Sequence, residues 1–140
     1  MHDFKSSLAK GHEGEIYMQS LFPKWRRTDG YKEDLITEDG KLVEIKTESR
    51  TTEQTPNVAL EWASSPGRPG AIERACKDGV TYLIYLFADK KYFVYDPVKV
   101  WAFMRKNYAK YRRVSIVNPT YYSTVLLVPR ADLEDCHETL

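Results

Sequence analysis

The sequence predicts an α plus β fold, a sheet-rich domain with helices packed around it. Three observations carry that prediction. Apolar residues recur at helical spacing near the N-terminus, a series of short stretches rich in β-branched and aromatic residues follows, and an Asp-Pro pair opens a helix in the C-terminal half. At 140 residues, 42% apolar and 13% aromatic, the chain can build one hydrophobic core, so a single domain over 1–140 is expected, with an acidic C-terminal tail at about 131–140.

The first helix is expected from about Ser7 to Phe22, because Leu8, Gly11, Glu15, Met18 and Phe22 fall on one stripe, and Pro23 ends it. Extended stretches follow near 25–28, 33–37 and 41–48, and Glu38-Asp39-Gly40 carries a hairpin turn signature, which together read as an antiparallel meander. Asn57–Trp62 alternates as a further strand, Ser64 to Gly70 reads as a Pro/Gly loop, and a short helix is expected around Ala71–Lys77. Val80–Phe87 and Lys91–Tyr95 form a strand pair across Ala88-Asp89-Lys90. Asp96 as N-cap and Pro97 at the first helical position start a helix to about Asn107, and Tyr121–Val128 is a late strand.

Composition removes several classes. No run of about 18 apolar residues or secretory signal core is present, which points to a protein of the cytoplasm without membrane contact. Cys76 and Cys136 lie far apart without metal or redox spacing, and read as reduced thiols. The net charge of +1 conceals segregation. Between Asp96 and Asp132 there is no acidic residue but seven basic ones, Lys99, Arg105, Lys106, Lys110, Arg112, Arg113 and Arg130, whereas Asp132 to the end has no Lys or Arg.

The segment that carries chemistry is Glu33-Asp34, then Glu44-Ile45-Lys46 across a turn. Glu44 and Lys46 are two residues apart on a strand and leave the same face, with Val43 and Ile45 on the other, and the hairpin can bring Asp34 beside them. Two carboxylates suit a hard divalent cation, Mg²⁺ with Mn²⁺ as substitute, and the lysine adds a cation beside it. That is what hydrolysis of a phosphodiester requires: a polarised phosphoryl oxygen, a hydroxide-like nucleophile and charge relief for the leaving group.

Asp34, nine residues, then Glu44-Ile45-Lys46 resembles the core of the PD-(D/E)xK nuclease superfamily, particularly small Holliday-junction resolvases and phage-encoded relatives. Glu33 stands where the motif's proline often is, a departure that removes no ligand. Lys10-Gly11-His12-Glu13-Gly14-Glu15 is similar to the first helix of such resolvases, where a Gly-Glu pair supplies another acid. Glu15 shares the apolar stripe and Glu13 lies about 160° away, so Glu15 is preferred. Asn57-Val-Ala-Leu-Glu61 and Pro66-Gly-Arg-Pro-Gly70-Ala-Ile resemble stretches of phage members, extending the likeness over roughly two-thirds of the chain.

The resemblance implies a restriction-endonuclease-like core, a central mixed β-sheet flanked by helices, and a metal-dependent DNA endonuclease acting as a homodimer in a prokaryotic or phage-infected host cell. It implies Glu15, Asp34, Glu44 and Lys46 as catalytic residues, and Asp34, Glu44 and the Ile45 carbonyl as metal ligands. Gln54 and Glu61 are further candidates for the site. DNA contacts are expected from Arg68, Arg74 and Lys77 around the Pro/Gly loop and from Arg105, Lys106, Lys110, Arg112 and Arg113, with Tyr108, Tyr111, Tyr121 and Tyr122 interleaved. No base-reading motif is evident, which favours selection of DNA structure, a Holliday junction or other branched DNA, over sequence. A general or flap- and end-processing nuclease is the alternative, and a DNA-binding module without turnover is the alternative of another class.

Overall fold

The computed structural model describes residues 4–28, 35–65, 67–117 and 121–140, with side chains of the first helix described from His12 onward. That helix, α1 (Phe4–Leu21), buries Met18 completely against the sheet. It is followed by β1 (Arg26–Arg27), β2 (Leu35–Ile36) and β3 (Leu42–Glu48), each antiparallel to its neighbour. Between β2 and β3 the Thr37 amide donates to the Lys41 carbonyl at 2.9 Å, and Gly40 takes φ of 86°, a left-handed conformation that glycine adopts without a Cβ penalty. The expected meander is present in its described part, and residues 33 and 34 lie outside the described residues.

Parallel pairing begins where the meander meets β6 (Val80–Phe87), with Glu44 opposite Leu83 and Lys46 opposite Tyr85. β7 (Tyr92–Tyr95) pairs antiparallel with β6, which completes a mixed five-stranded sheet in the order β1-β2-β3-β6-β7. A parallel pair needs a long crossover. Here the crossover contains β4 (Asn57–Ser64), β5 (Arg68–Pro69) and α2 (Ala71–Lys77). β4 joins a second, antiparallel sheet, β5-β4-β9-β8, with β8 (Arg112–Val117) and β9 (Tyr122–Pro129). α3 (Pro97–Asn107) starts as expected, the Asp96 carboxylate accepting from the Val98 and Lys99 amides.

Alternation along β6 divides the interior into two cores. Tyr82, Ile84 and Leu86 join Met18, Trp25, Leu35, Val43 and Ile45 under α1, whereas Leu83, Tyr85 and Phe87 face the other way. On that other face they meet Val58, Leu60, Leu126 and Val128 of the second sheet, Ile72 of α2, and Val100 and Met104 of α3. A strand buried on both faces reads as a near-continuous apolar run, which Val80–Phe87 shows with Thr81 as its one polar residue.

The mixed sheet with flanking helices agrees with the expected class, and the organisation adds to the expectation in three places. The strand at Asn57, expected without a sheet assignment, belongs to a second sheet that the sequence did not reveal. The basic run at Arg112 and Arg113, assigned to no element from the sequence, lies on β8, an edge strand exposed along nearly all its length, so no apolar alternation marks it in the sequence. The acidic C-terminal segment is docked: Arg130–Cys136 forms a 3-10 helix whose Leu133 and Cys136 are buried, and the Asp96 amide donates to the Cys136 carbonyl at 2.8 Å. Cys76 and Cys136 are free thiols. Among the described residues no helix is long and apolar enough to cross a membrane.

Candidate active site

β3 sends Val43, Ile45 and Thr47 towards α1, where the position of a Cβ on Gly14 falls 2.6 Å from Thr47 Cγ2. By strand alternation Glu44 and Lys46 therefore leave the opposite face, towards the second core and α2. Their Oε1 and Nζ atoms are 3.6 Å apart, with the Glu44 side chain 14% exposed and that of Lys46 37%.

Glu44 is the electrostatically costly member of the pair. Its Oε2 is buried and has no hydrogen-bond partner among the described residues. Burial raises its pKa; the positive charges of Lys46 and Arg74 act against that rise, and the negative charge of Asp78 adds to it. A hard oxygen in this state suits one coordination position of Mg²⁺. Among the described residues no group of three or more His, Cys, Asp and Glu side chains could hold a metal ion, and Asp34, the second expected ligand, lies outside them, as does Glu33.

The other expected site residues have definite places. Glu15 faces inward as its stripe predicted, 15% exposed against an exposed Glu13, and pairs with Arg27 at 2.8 Å and His12 at 3.8 Å. Because α1 covers the opposite face of β3 from Glu44, the described contacts of Glu15 are with the β1 edge and not with Lys46 or Glu44. The Ile45 side chain packs in the α1 core at 8% exposure. Gln54 Oε1 accepts from the Thr51 amide at 2.9 Å within an exposed turn after β3.

Glu61, on β4, ties its own strand to α2 and β9. Its Oε1 accepts from the Ala71 amide at 2.8 Å, from Arg74 at 3.3 Å and from the Ser64 hydroxyl at 3.4 Å, and its Oε2 accepts from the Ser123 hydroxyl at 2.9 Å. It thus satisfies the first amide of α2 and holds Arg74 where that cation also acts on Glu44.

On the far side of α2 lies an open groove of about 810 Å³. Arg68, Lys77 and Arg105, expected separately from the Pro/Gly loop and the basic segment, all line it, together with Trp62, Trp101 and Tyr122. α2 presents Glu73 and Lys77 to the groove, paired at 3.1 Å, and directs the charges of Arg74 and Asp78 at Glu44. Of the remaining expected cations, Arg113 stacks 4.7 Å over Tyr108 and Lys110 lies 5.8 Å over Tyr111, while Lys106 and Arg112 are exposed. The tryptophans of the groove are absent from the residues expected to bind. The spacing of Trp101 and Arg105, four apart and hence on one helix face, was the signal that could have found Trp101; no local signal points to Trp62. Comparison of the chain with protein-family models and with curated proteins gives no match.

Proposed function

We propose that the chain is a divalent-metal-dependent endodeoxyribonuclease with a restriction-endonuclease-like core, selecting branched DNA such as a Holliday junction. The observation that carries this reading is Glu44 beside Lys46 on one face of a central strand, its Oε2 buried and without a hydrogen-bond partner among the described residues. A buried carboxylate oxygen left unpaired costs stability, and binding a cation is a function that offsets it.

Asp34 and Glu44 would hold Mg²⁺ or Mn²⁺, which when bound supplies Lewis-acid polarisation of the phosphoryl oxygen and a more acidic water. Lys46 would place its ammonium against the charge that develops on the phosphoryl group and would orient the attacking water. Arg74, fixed by Glu61, would hold a backbone phosphate near Glu44, with Arg68, Lys77 and Arg105 extending the contact across α2. A homodimer would present two such sites to the two strands that a junction requires cut.

The test is cleavage of a labelled four-way junction, matched linear duplex and single strand in Mg²⁺, Mn²⁺ or EDTA. Wild type is expected to cut the junction only with metal, and Glu44→Ala and Lys46→Ala are each expected to lower the rate on the order of 100-fold or more. Equal cutting of all three DNAs points to a general nuclease. Tight binding without any cutting overturns the enzyme and leaves a DNA-binding module.

A further inference from the structure

We infer that the groove between α2, α3 and the second sheet holds an unpaired DNA strand, its bases stacked on Trp62, Trp101 and Tyr122 and its phosphates on Arg68, Lys77 and Arg105. The inference deepens the nuclease reading by naming the part of the substrate that the face beyond α2 receives. Its readout, binding without metal, is independent of cutting.

Charge comes first. The groove has three cations and one acid, Glu73, which is engaged by Lys77 at 3.1 Å. Arg68 and Arg105 form no ion pair among the described residues, and the Arg105 guanidinium lies 5.6 Å over the Trp101 ring, held above an aromatic floor. A strand of phosphates displaces condensed counterions from such a surface, whereas a neutral ligand would leave these cations unused.

The floor decides between paired and unpaired strands. Trp62 and Trp101 have ring centroids 4.9 Å apart at 38°, with Tyr108 a further 4.4 Å from Trp62, so the two indoles form a fixed platform and not two mobile side chains. Tyr122 stands at the groove's rim with 57% exposure, a large ring open to solvent among the described residues. In a duplex the base faces are already stacked on one another; only unpaired nucleotides offer a free face to an aromatic ring. At about 810 Å³ the groove is open to solvent and far larger than one phosphate needs.

The experiment is a titration of the protein in EDTA with an oligothymidylate of about 12 nucleotides, read by intrinsic tryptophan fluorescence. Two of the three tryptophans, Trp62 and Trp101, line the groove, and the third, Trp25, is 8% exposed in the α1 core and gives a constant background. Quenching that weakens with salt is expected. Tyr122→Ala should weaken binding roughly 5- to 150-fold, the loss of one stacked base, and the double variant Arg68→Ala/Arg105→Ala should also lower the salt dependence by about 2 contacts. Unchanged urea midpoints in both variants confirm that they fold.

Equal binding by the variants overturns the groove. So does a matched duplex, polyglutamate or oligouridylate that binds as tightly and quenches as much. Groove binding without metal-dependent cutting overturns the nuclease alone, and cutting without groove binding overturns the groove alone.

Discussion

The carboxylate of Glu61 accepts a hydrogen bond from the backbone amide of Ala71 at 2.8 Å, so a side chain from β4 closes the N-terminus of α2. The N-cap residue itself, Gly70, has no side chain with which to do so. Ala71 N–H is one of the amides that a helix leaves without an internal partner, and a charged acceptor at that end also meets the helix dipole favourably. Glu61→Ala removes this acceptor and that of the Ser123 hydroxyl together, and should lower unfolding stability by about 1–3 kcal/mol. Glu61→Gln keeps an acceptor and should lose less. Urea denaturation decides: a Glu61→Ala curve superimposed on that of the exposed Glu53→Ala would remove the cap from the account.

Gly70 is constrained by closeness. A Cβ there would sit 2.6 Å from the Glu61 carbonyl oxygen and 2.6 Å from the Trp62 carbonyl carbon, both backbone atoms that no rotamer change can move. Gly70→Ala should cost at least about 3 kcal/mol, at the upper end of overpacking substitutions. Gly67 is a control of the opposite kind, since its Cβ would meet nothing within 4 Å but its φ is 66°. Gly67→Ala should cost about 1–2 kcal/mol through left-handed strain alone. Thermal unfolding should rank Gly70→Ala well below Gly67→Ala; the reverse order would mean that the β4–α2 contact is looser than these distances require.

Gly14 meets a side chain instead. The added methyl of Gly14→Ala would lie 2.6 Å from Thr47 Cγ2, so either the exposed Thr47 side chain turns away or α1 lifts from β3, at a cost of up to about 3 kcal/mol. Thr47→Ser deletes that methyl and keeps the hydroxyl. In a double-mutant cycle the pair should therefore couple favourably, Gly14→Ala costing much less in the Thr47→Ser background than in wild type. Additive costs would show that the clash is relieved elsewhere.

The glycine that resembled a motif element in the sequence is therefore also explained by packing, and the same double meaning runs through the site. Period-2 alternation was enough to place Glu44 and Lys46 together, and period-3.6 spacing to turn Glu15 inward rather than Glu13, because both depend only on local geometry. What lies opposite those faces depends on tertiary packing. Nothing local to Glu15 says that α1 covers the other side of β3, or that Arg27 is its partner. The second sheet was hidden for a related reason: β8 is exposed on both faces, so Arg112 to Val117 has no buried side to write a pattern into the sequence. Arg68, Lys77 and Arg105 were each legible as cations, but their meeting in one groove with Trp62 and Trp101 depends on α2 and α3 packing across β4.

Glu44 gives the prediction that bears most directly on chemistry, through the pH dependence of folding. Burial holds its pKa above the unfolded value despite the nearby charges of Lys46 and Arg74. Below the ordinary carboxylate range Glu44 is neutral in both states and costs nothing by this route. As pH rises through the unfolded value, the unfolded chain ionises first while the folded one retains the proton, so stability falls with rising pH until the raised folded value is passed. Glu44→Gln resembles the neutral acid and lacks that fall. It should match wild type at acid pH and exceed it in stability at neutral pH, with the difference opening across the window just above the ordinary carboxylate range. A difference between the two urea curves that is constant with pH would show that Glu44 is not penalised by burial. Magnesium adds the second half of the experiment. If Glu44 is a ligand, Mg²⁺ at about 100 times its dissociation constant should stabilise wild type at neutral pH by about 2.7 kcal/mol and Glu44→Gln by much less. Equal stabilisation of both proteins would place the cation away from Glu44, and the buried Oε2 would then be only a cost of the fold.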